Sequence, residues 1–278
     1  PAAHAGVVGF KPSQGAIPDA VGFAHAFHGL STPAPMATSV ADAALMFEAM
    51  AGEDRGDPRS FALAAGGPIE PRAVRIAYSP SLGLGAPVDD DVAARVHEAV
   101  VALRHAGFQV EQVNPAWPQG ASDDALFALQ YSSLAALYGQ RWQADPERFD
   151  PDVGRQTARG LACTGVEVAT ARELSWQIAL AMAGFMRRYD VLLSPTAPCV
   201  AWPLDRLGPA EIGGRPAGPR GHAVFTSFAN HAGVPALSLP CGTGRDGLPV
   251  GVQLISGRGR DRFLLAIAGV LEKLLARA

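Results

Sequence analysis

The sequence predicts an α/β fold, in which helices connect and cover the strands of a sheet. Residues 74–113 contain two short apolar stretches of strand length, one on either side of a helical stretch. A strand–helix–strand unit joined by short turns is typical of a crossover connection in an α/β sheet. Residues 237–241 and 250–255 are two further strand-like stretches, and the Asp-Gly-Leu-Pro segment between them, residues 246–249, indicates a hairpin turn.

Composition limits the classes to which this protein can belong. The chain has 278 residues, of which 48% are apolar and 18% are charged, so it can bury a sizeable core. The formal net charge is -3 and no arginine-rich run is present, which argues against direct binding of nucleic acid. No apolar run reaches the roughly 18 residues of a membrane helix. The three cysteines lack zinc or Cys-X-X-Cys spacing, which predicts a reduced, cytoplasmic location.

Residues 16–37 are predicted to be loop, and residues 6–15 a short strand or a structural turn. The apolar side chains of residues 7–10, which lie between glycines, indicate that the strand is short and buried. His25 and His28 lie three residues apart, with His4 upstream. No carboxylate or cysteine stands near them at metal-ligand spacing, so no metal site is predicted.

The clearest predicted helix covers residues 38–52. Thr38 or Ser39 is its N-cap, Asp42 lies in the first turn, where the helix dipole favours a negative charge, and Gly52 ends it. Apolar periodicity predicts four more helices, over residues 90–106, 123–143, 166–189 and 261–276. Other segments are predicted to be less regular, namely 146–165 as irregular chain, 201–221 as a Gly/Pro-rich loop and 225–237 as a helix broken at Gly233.

Residues 190–199 contain the most specific local signal for a ligand site. A Val-Leu-Leu run indicates a buried strand, and Ser-Pro-Thr-Ala-Pro-Cys follows it. Because ligands bind just outside the carboxyl ends of strands in open α/β sheets, Ser194, Thr196 and Cys199 are candidate pocket residues. The alternative, given equal weight, is a proline-rich strand exit whose hydroxyl groups face solvent.

The residues by themselves do not reveal a catalytic centre. The sequence lacks the Gly-X-Ser-X-Gly and His-Glu-X-X-His motifs, and a Ser–His–Asp triad stays open because triads are spatial. A lysine-assisted serine would need Lys11 or Lys273, the two lysines of the chain. Lys11 and Ser13 are too constrained by the intervening proline for a convincing pair, and Lys273 is predicted to be a surface residue.

Several stretches, in the same order along the chain, resemble the amidase signature family. Each is short, and their order from one end of the chain to the other makes the resemblance specific. One departure is Ala34, where the family has glycine. The matching stretches are Pro1-Ala-Ala, Gly-Val-Val-Gly-Phe-Lys-Pro-Ser at 6–13, Gly15, Ala-Pro-Met-Ala at 34–37, Ser-Val-Ala-Asp-Ala-Ala-Leu at 39–45, Asp-Val-Leu-Leu-Ser-Pro-Thr at 190–196, Ala-Asn at 229–230, Gly-Val-Pro at 233–235, Pro240 and Gly-Leu-Pro-Val-Gly-Val-Gln at 247–253.

The resemblance implies a mixed β-sheet flanked by helices and the hydrolysis of carboxamide C–N bonds. The family uses a serine nucleophile, a bridging serine and a neutral lysine, whose proton is lost more easily when it is buried. All three precede the position of Pro1 in the family, so no catalytic residue is assigned in this chain. Residues 1–278 are therefore expected to form a single amidase-like domain that is incomplete at its N-terminus and inactive alone.

The same resemblance implies where substrate would bind. Ser194, Thr196 and Cys199, with the helix that carries Phe127 and Tyr131, are expected to shape the acyl or leaving-group pocket. Gln253 and residues 225–230 are expected to be structural. The partner is a small-molecule amide, without cofactor, metal or membrane, and a homodimer stays open. Two alternatives are an amidotransferase A-type subunit of a tRNA-dependent transamidase, whose tRNA contact lies on another subunit, and a non-catalytic remnant or scaffold.

Overall fold

A computed structural model describes residues 1–19, 26–218 and 220–276, except for the side chains of Ala26, His28 and Asp123. Seven of the described strands build one sheet, and the other two form a separate ribbon. The strands are β1 (Val8–Lys11), β2 (Met36–Ala37), β3 (Arg75–Tyr78), β4 (Gln109–Gln112), β5 (Val191–Pro195), β6 (Glu211–Ile212), β7 (Arg215–Pro216), β8 (Ala236–Thr243) and β9 (Pro249–Ser256). The helices are α1 (Ala2–Ala5), α2 (Val40–Met50), α3 (Asp90–His105), α4 (Asp123–Ala144), α5 (Pro151–Ala162), α6 (Gly165–Phe185), α7 (Ser227–His231) and α8 (Asp261–Leu275).

The seven-stranded sheet has the order β2-β1-β8-β9-β5-β3-β4. Strand β3 runs parallel to β4 and β5, and the other neighbours pair antiparallel, so the sheet is mixed. Gln253 on β9 lies opposite Ser194 on β5 and Ser238 on β8, which places three polar side chains in one row across the sheet. The predicted α/β fold with a mixed sheet and flanking helices is confirmed.

Apolar layers cover both faces of the sheet. On one face α2, α3 and α8 pack against alternate strand residues such as Leu193 and Leu254. On the other face α4, α6 and α7 pack against Leu192 and Ile255. Because side chains alternate along a strand, Ser194 and Gln253 belong to the face covered by α4, α6 and α7. This second layer is therefore the one that adjoins the predicted ligand site.

The main error of the sequence-based prediction lies in residues 146–165. Instead of irregular chain, residues 151–162 form helix α5, which Pro151 begins and Asp150 caps by accepting from the backbone N–H of Asp152 at 2.8 Å. Its buried face consists of small residues, namely Gly154, Thr157 and Gly160. Large apolar side chains do not mark this face, so the periodic signal used for the other helices was missing.

Other differences are smaller. Residues 2–5 form the short helix α1, which the sequence analysis did not predict, and the Gly/Pro-rich segment contains the β6–β7 ribbon. Helix α7 is shorter than the broken helix predicted over 225–237, because Gly233 adopts a positive φ of 65° and β8 begins three residues later. Helix α2 spans Val40–Met50 with Ser39 as its N-cap.

Candidate substrate-binding site

Ser194 lies at the end of β5 and is completely buried. Its Oγ donates to the carbonyl oxygen of Pro195 at 3.2 Å and accepts from Gln253 Nε2 at 3.1 Å. The same Gln253 nitrogen donates to the carbonyl oxygen of Phe225 at 3.2 Å. Gln253 therefore connects the end of β5 to the segment that leads into α7, as expected of a structural residue.

Thr196 continues the same polar row beyond β5. Its Oγ1 lies 2.9 Å from Ser238 Oγ, and its backbone N–H donates to the carbonyl oxygen of Gly251 at 2.9 Å. Helix α1 lies directly against this part of the sheet, since a Cβ on Gly251 would come within 2.7 Å of the Ala3 Cβ. Glycine at position 251 therefore permits the close approach of the N-terminal helix to the exit of β5.

Cys199 is buried, and it is not arranged as a nucleophile. Burial, aided by the negative charge of Asp89, raises the pKa of its thiol to about 12. The thiolate is the reactive form of cysteine, so this side chain stays an inert thiol at neutral pH. Its carbonyl oxygen lies 3.2 Å from His4 Nε2, which ties α1 to the chain that leaves β5.

A cavity of about 240 Å³ opens between α4, α7 and the segment around Leu30. Both apolar and polar side chains line its wall, so the cavity can hold an apolar body and orient polar atoms. The described residues that line it are Phe27, Leu30, Ser31, Leu126, Phe127, Leu129, Gln130, Arg220, Thr226, Ser227, Asn230 and His231.

Phe127 and Tyr131 lie one helical turn apart on α4, with their ring centroids 5.3 Å apart. Phe127 faces the cavity, whereas Tyr131 lies under helix α5, where the guanidinium carbon of Arg159 is 5.8 Å from its ring centroid. The structure thus brings the two predicted aromatic residues together, but of the five predicted pocket residues it is Phe127 that lines this cavity. The roles of Tyr131, Ser194, Thr196 and Cys199 in substrate binding stay predictions.

Two hydrogen bonds donated by Gln253 link the cavity wall to the row of polar side chains across the sheet. Thr226 lines the cavity, and the preceding residue, Phe225, accepts the hydrogen bond from Gln253. Gln253 in turn holds Ser194. The two groups of predicted residues, one on α4 and one at the exit of β5, are therefore linked through the segment that leads into α7.

Three lining residues that sequence reasoning missed are Arg220, Asn230 and His231. Asn230 Nδ2 donates to the carbonyl oxygen of Leu30 at 2.8 Å, across 200 residues of sequence. His231 Nδ1 lies 2.9 Å from Ser175 Oγ of α6. Burial lowers the pKa of His231 to about 4, so its imidazole is neutral at neutral pH. Local sequence carried no signal for these contacts, because each joins segments far apart in the chain.

The Lys-Pro-Ser segment has a structural role in this fold. Ser13 donates from its backbone N–H and its Oγ to the carboxylate of Asp261, at 2.7 and 2.6 Å. Lys11 Nζ donates to the carbonyl oxygen of Pro12 at 2.7 Å, and burial lowers its pKa to about 8 against the opposing effect of Asp261. These contacts anchor the first turn of α8 to β1, and the Ser13 hydroxyl proton is directed at a carboxylate rather than at a lysine.

Within residues 1–19, 26–218 and 220–276, histidine, cysteine and acidic side chains do not form a group of three that could hold a metal ion. His25, which was weighed as a metal ligand, lies outside the described residues. In the same described part of the chain, every helix is too short or too polar to cross a membrane.

A sequence model of the family described as Amidase matches residues 1–265. The chain belongs to the amidase signature family. The resemblance inferred from the motifs is confirmed.

Members of the amidase signature family that are similar to this chain include two curated proteins. An acylamidase of Rhodococcus erythropolis is 32% identical over 282 residues, which cover 98% of this chain and 58% of the acylamidase. The A-type subunit of the glutamyl-tRNA(Gln) amidotransferase of Symbiobacterium thermophilum is 33% identical over 303 residues, which cover 98% of this chain and 60% of that protein.

The architecture is also that of the family. The crystal structure of a bacterial aryl acylamidase of the amidase signature enzymes superposes with a TM-score of 0.84 at 23% identity, over 99% of this chain and 60% of the other. The chain thus spans about 60% of the length of these three relatives.

Proposed function

We propose that this chain forms the substrate-binding part of an amidase that hydrolyses carboxamide C–N bonds. The observation that carries the proposal is the cavity beside α4 and α7, which lies in a chain of the amidase signature family and is linked to the exit of β5 through Gln253 and Phe225. Its wall holds an aromatic ring, Phe127, next to side chains that can orient an amide. An aryl or alkyl amide is the substrate class that fits such a wall.

The described side chains support a division of roles in which this chain binds the substrate and residues outside it carry out the hydrolysis. Ser194 and Thr196 are held in hydrogen bonds, and the Cys199 thiol is protonated at neutral pH. Lys11 and Ser13 each donate to a partner in the fold. We therefore propose that the serine nucleophile, bridging serine and neutral lysine of the family mechanism are supplied by sequence N-terminal to Pro1.

In this division of roles the chain contributes to the reaction in three ways. The apolar wall around Phe127 excludes water from the bound amide and strengthens the electrostatic interactions inside the site. Gln253 holds the exit of β5 at a constant distance from the segment before α7. Helix α1 lies against β8 and β9, with Ala3 beside Gly251, so sequence preceding Pro1 would join the chain at this part of the sheet.

A second candidate, an amidotransferase A-type subunit, is supported by the 33% identity to the Symbiobacterium protein, which matches that of the acylamidase. The two candidates differ in substrate, because the amidotransferase component would release ammonia from glutamine and pass it to a partner. Activity on acyl anilides without any partner protein favours the acylamidase type. Activity on glutamine that requires added partner proteins favours the second candidate.

The test compares residues 1–278 with a chimera in which the N-terminal part of the Rhodococcus acylamidase precedes Pro1. We expect the chimera to release aniline from acyl anilides and the chain alone to release none. Turnover by the chain alone would overturn the proposed location of the catalytic residues. A folded chimera that hydrolyses neither anilides, primary amides nor glutamine would overturn the hydrolase proposal and favour a non-catalytic scaffold.

A further inference from the structure

We propose that Arg220 selects amides that carry a carboxylate at one end, by pairing with that carboxylate at the wall of the cavity. This inference rests on the proposed function, because it assigns a substrate class to the same cavity. It goes further in naming one residue that discriminates between anionic and neutral ligands.

The position of Arg220 is defined by its contact with an aromatic ring. Its guanidinium carbon lies 5.5 Å from the centroid of Phe127, and both residues line the cavity. A cation over an aromatic face within about 6 Å is attracted to the ring, and the N–H donors of the guanidinium can still meet another group. Arg220 is exposed, so a ligand can reach those donors.

Arg220 is the charged residue of the described cavity wall. Of the described lining residues, it is the one whose side chain is formally charged at neutral pH. His231 also lines the cavity, but burial lowers its pKa to about 4 and keeps it neutral. Asp and Glu are absent from the described wall. The positive charge of Arg220 would therefore attract an anionic ligand, and no negative side chain of that described wall would repel it.

Three neutral polar side chains of the wall already donate hydrogen bonds to the protein. Asn230 donates to Leu30, Gln130 donates to Gln156 at 2.7 Å, and Thr226 donates to Ala223 at 3.0 Å. The guanidinium of Arg220, by contrast, lies over the Phe127 ring and has no carboxylate partner among the described residues.

Other arginines of the chain show what such a group binds when a partner is present. Arg262 pairs with both carboxylate oxygens of Glu48, at 2.7 and 2.8 Å, and Arg260 pairs with Asp190 at 2.7 Å. A guanidinium fork matches a carboxylate with two parallel hydrogen bonds. Arg220 is therefore suited to bind a carboxylate, and in this cavity that carboxylate would belong to the ligand.

The other lining residues indicate the size and polarity of the rest of the ligand. Leu126, Phe127 and Leu129 are apolar, and the cavity volume of about 240 Å³ is sufficient for a benzene ring with a short chain. The substrate class is thus an amide with an apolar body and a carboxylate at the end that contacts Arg220.

The test is calorimetric binding of two probes, 4-phenylbutanoate and 4-phenylbutanamide, to residues 1–278. They share one carbon skeleton and differ in charge. We expect the carboxylate to bind about tenfold or more tightly than the amide at low ionic strength, with a difference that shrinks as salt is added. Arg220→Gln should remove the difference, and Arg220→Lys should retain part of it because the charge stays while the fork is lost.

Arg188→Gln is the matched control. Arg188 is also exposed and stacked, with its guanidinium carbon 5.7 Å from the ring centroid of Tyr189, but it does not line this cavity. The control should leave both affinities unchanged. Circular dichroism of each variant verifies that the chain is folded.

The outcomes separate this inference from the proposed function. Equal binding of both probes to the unmodified chain, or a preference that survives Arg220→Gln, overturns the inference and leaves the cavity as an amide site. Failure of both probes to bind at millimolar concentration overturns the inference together with the cavity assignment. A clear preference with an inactive chimera retains the inference and rejects the hydrolase.

Discussion

Gln253 and Ser194 face each other across β9 and β5, and a hydrogen bond of 3.1 Å joins Gln253 Nε2 to Ser194 Oγ. The same nitrogen donates to the carbonyl oxygen of Phe225. The next residue in the chain, Thr226, lines the cavity. One buried amide thus sets the position of the cavity wall relative to the sheet.

Gln253→Leu is expected to destabilise the fold. The change keeps a side chain of similar size but leaves the Phe225 carbonyl oxygen without its donor inside the core. Such a buried unsatisfied group costs about 1–3 kcal/mol of the free energy of unfolding. Urea denaturation followed by circular dichroism measures the change. Gln177→Leu is the control, because Gln177 is exposed and bonds the neighbouring Glu173; equal losses in the two variants would contradict the assigned role.

Gly160→Ala is expected to separate α5 from α4. A Cβ at position 160 would overlap the carbonyl oxygen of Tyr131 and would lie 2.8 Å from the Ala135 Cβ. Backbone atoms cannot rotate away, so the helices must shift, at a cost of about 1–3 kcal/mol. Thermal unfolding measures the loss. Gly165→Ala is the matched control at the start of α6, where the new methyl group meets open space, and it should be neutral or slightly stabilising. An unaffected Gly160→Ala variant would refute the close contact.

Lys11 is expected to make stability depend on pH in the alkaline range. Burial lowers its pKa in the folded state from 10.5 to about 8, so the unfolded chain binds more protons between these two values. The free energy of unfolding should therefore gain a contribution that rises from pH 8 to pH 10.5, on the order of 1–3 kcal/mol in total.

Lys11→Met should remove this contribution, since methionine does not titrate. The measurement is urea denaturation at several pH values, compared with Lys273→Met, which removes the exposed lysine of α8. Subtracting one variant from the other cancels the titration of tyrosines and termini. Parallel pH profiles of the two variants would show that Lys11 keeps its ordinary pKa in the folded chain.

Phe127→Ala is expected to weaken the binding of an apolar amide. The ring forms part of the cavity wall, and its removal takes away apolar contact area equivalent to about 1–2 kcal/mol, or roughly five- to thirtyfold in affinity for 4-phenylbutanamide. Phe149→Ala is the control, because Phe149 is also partly buried beside an aromatic residue of α4, Tyr138, but does not line this cavity. Equal affinities of the two variants would reject the cavity as the binding site.

Tertiary contacts decided several features that the sequence could not reveal. Helix α5 was missed because its buried face is made of glycine and threonine, whose role is to let α4 approach closely rather than to contribute apolar area. Arg220, Asn230 and His231 were missed because their partners, Phe127, Leu30 and Ser175, come from other parts of the chain. Spacing along the sequence does not encode such distances.

The sequence by itself determined the family and the fold class. Alternating apolar residues, glycine and proline at turns, and the order of short motifs are local properties, so they could be interpreted without coordinates. Only the tertiary structure decided which side chains meet at the cavity. It placed Ser194 in a closed hydrogen-bond network and Arg220 at an open wall, because the alternation of β5 and the stacking on Phe127 set the direction of each side chain.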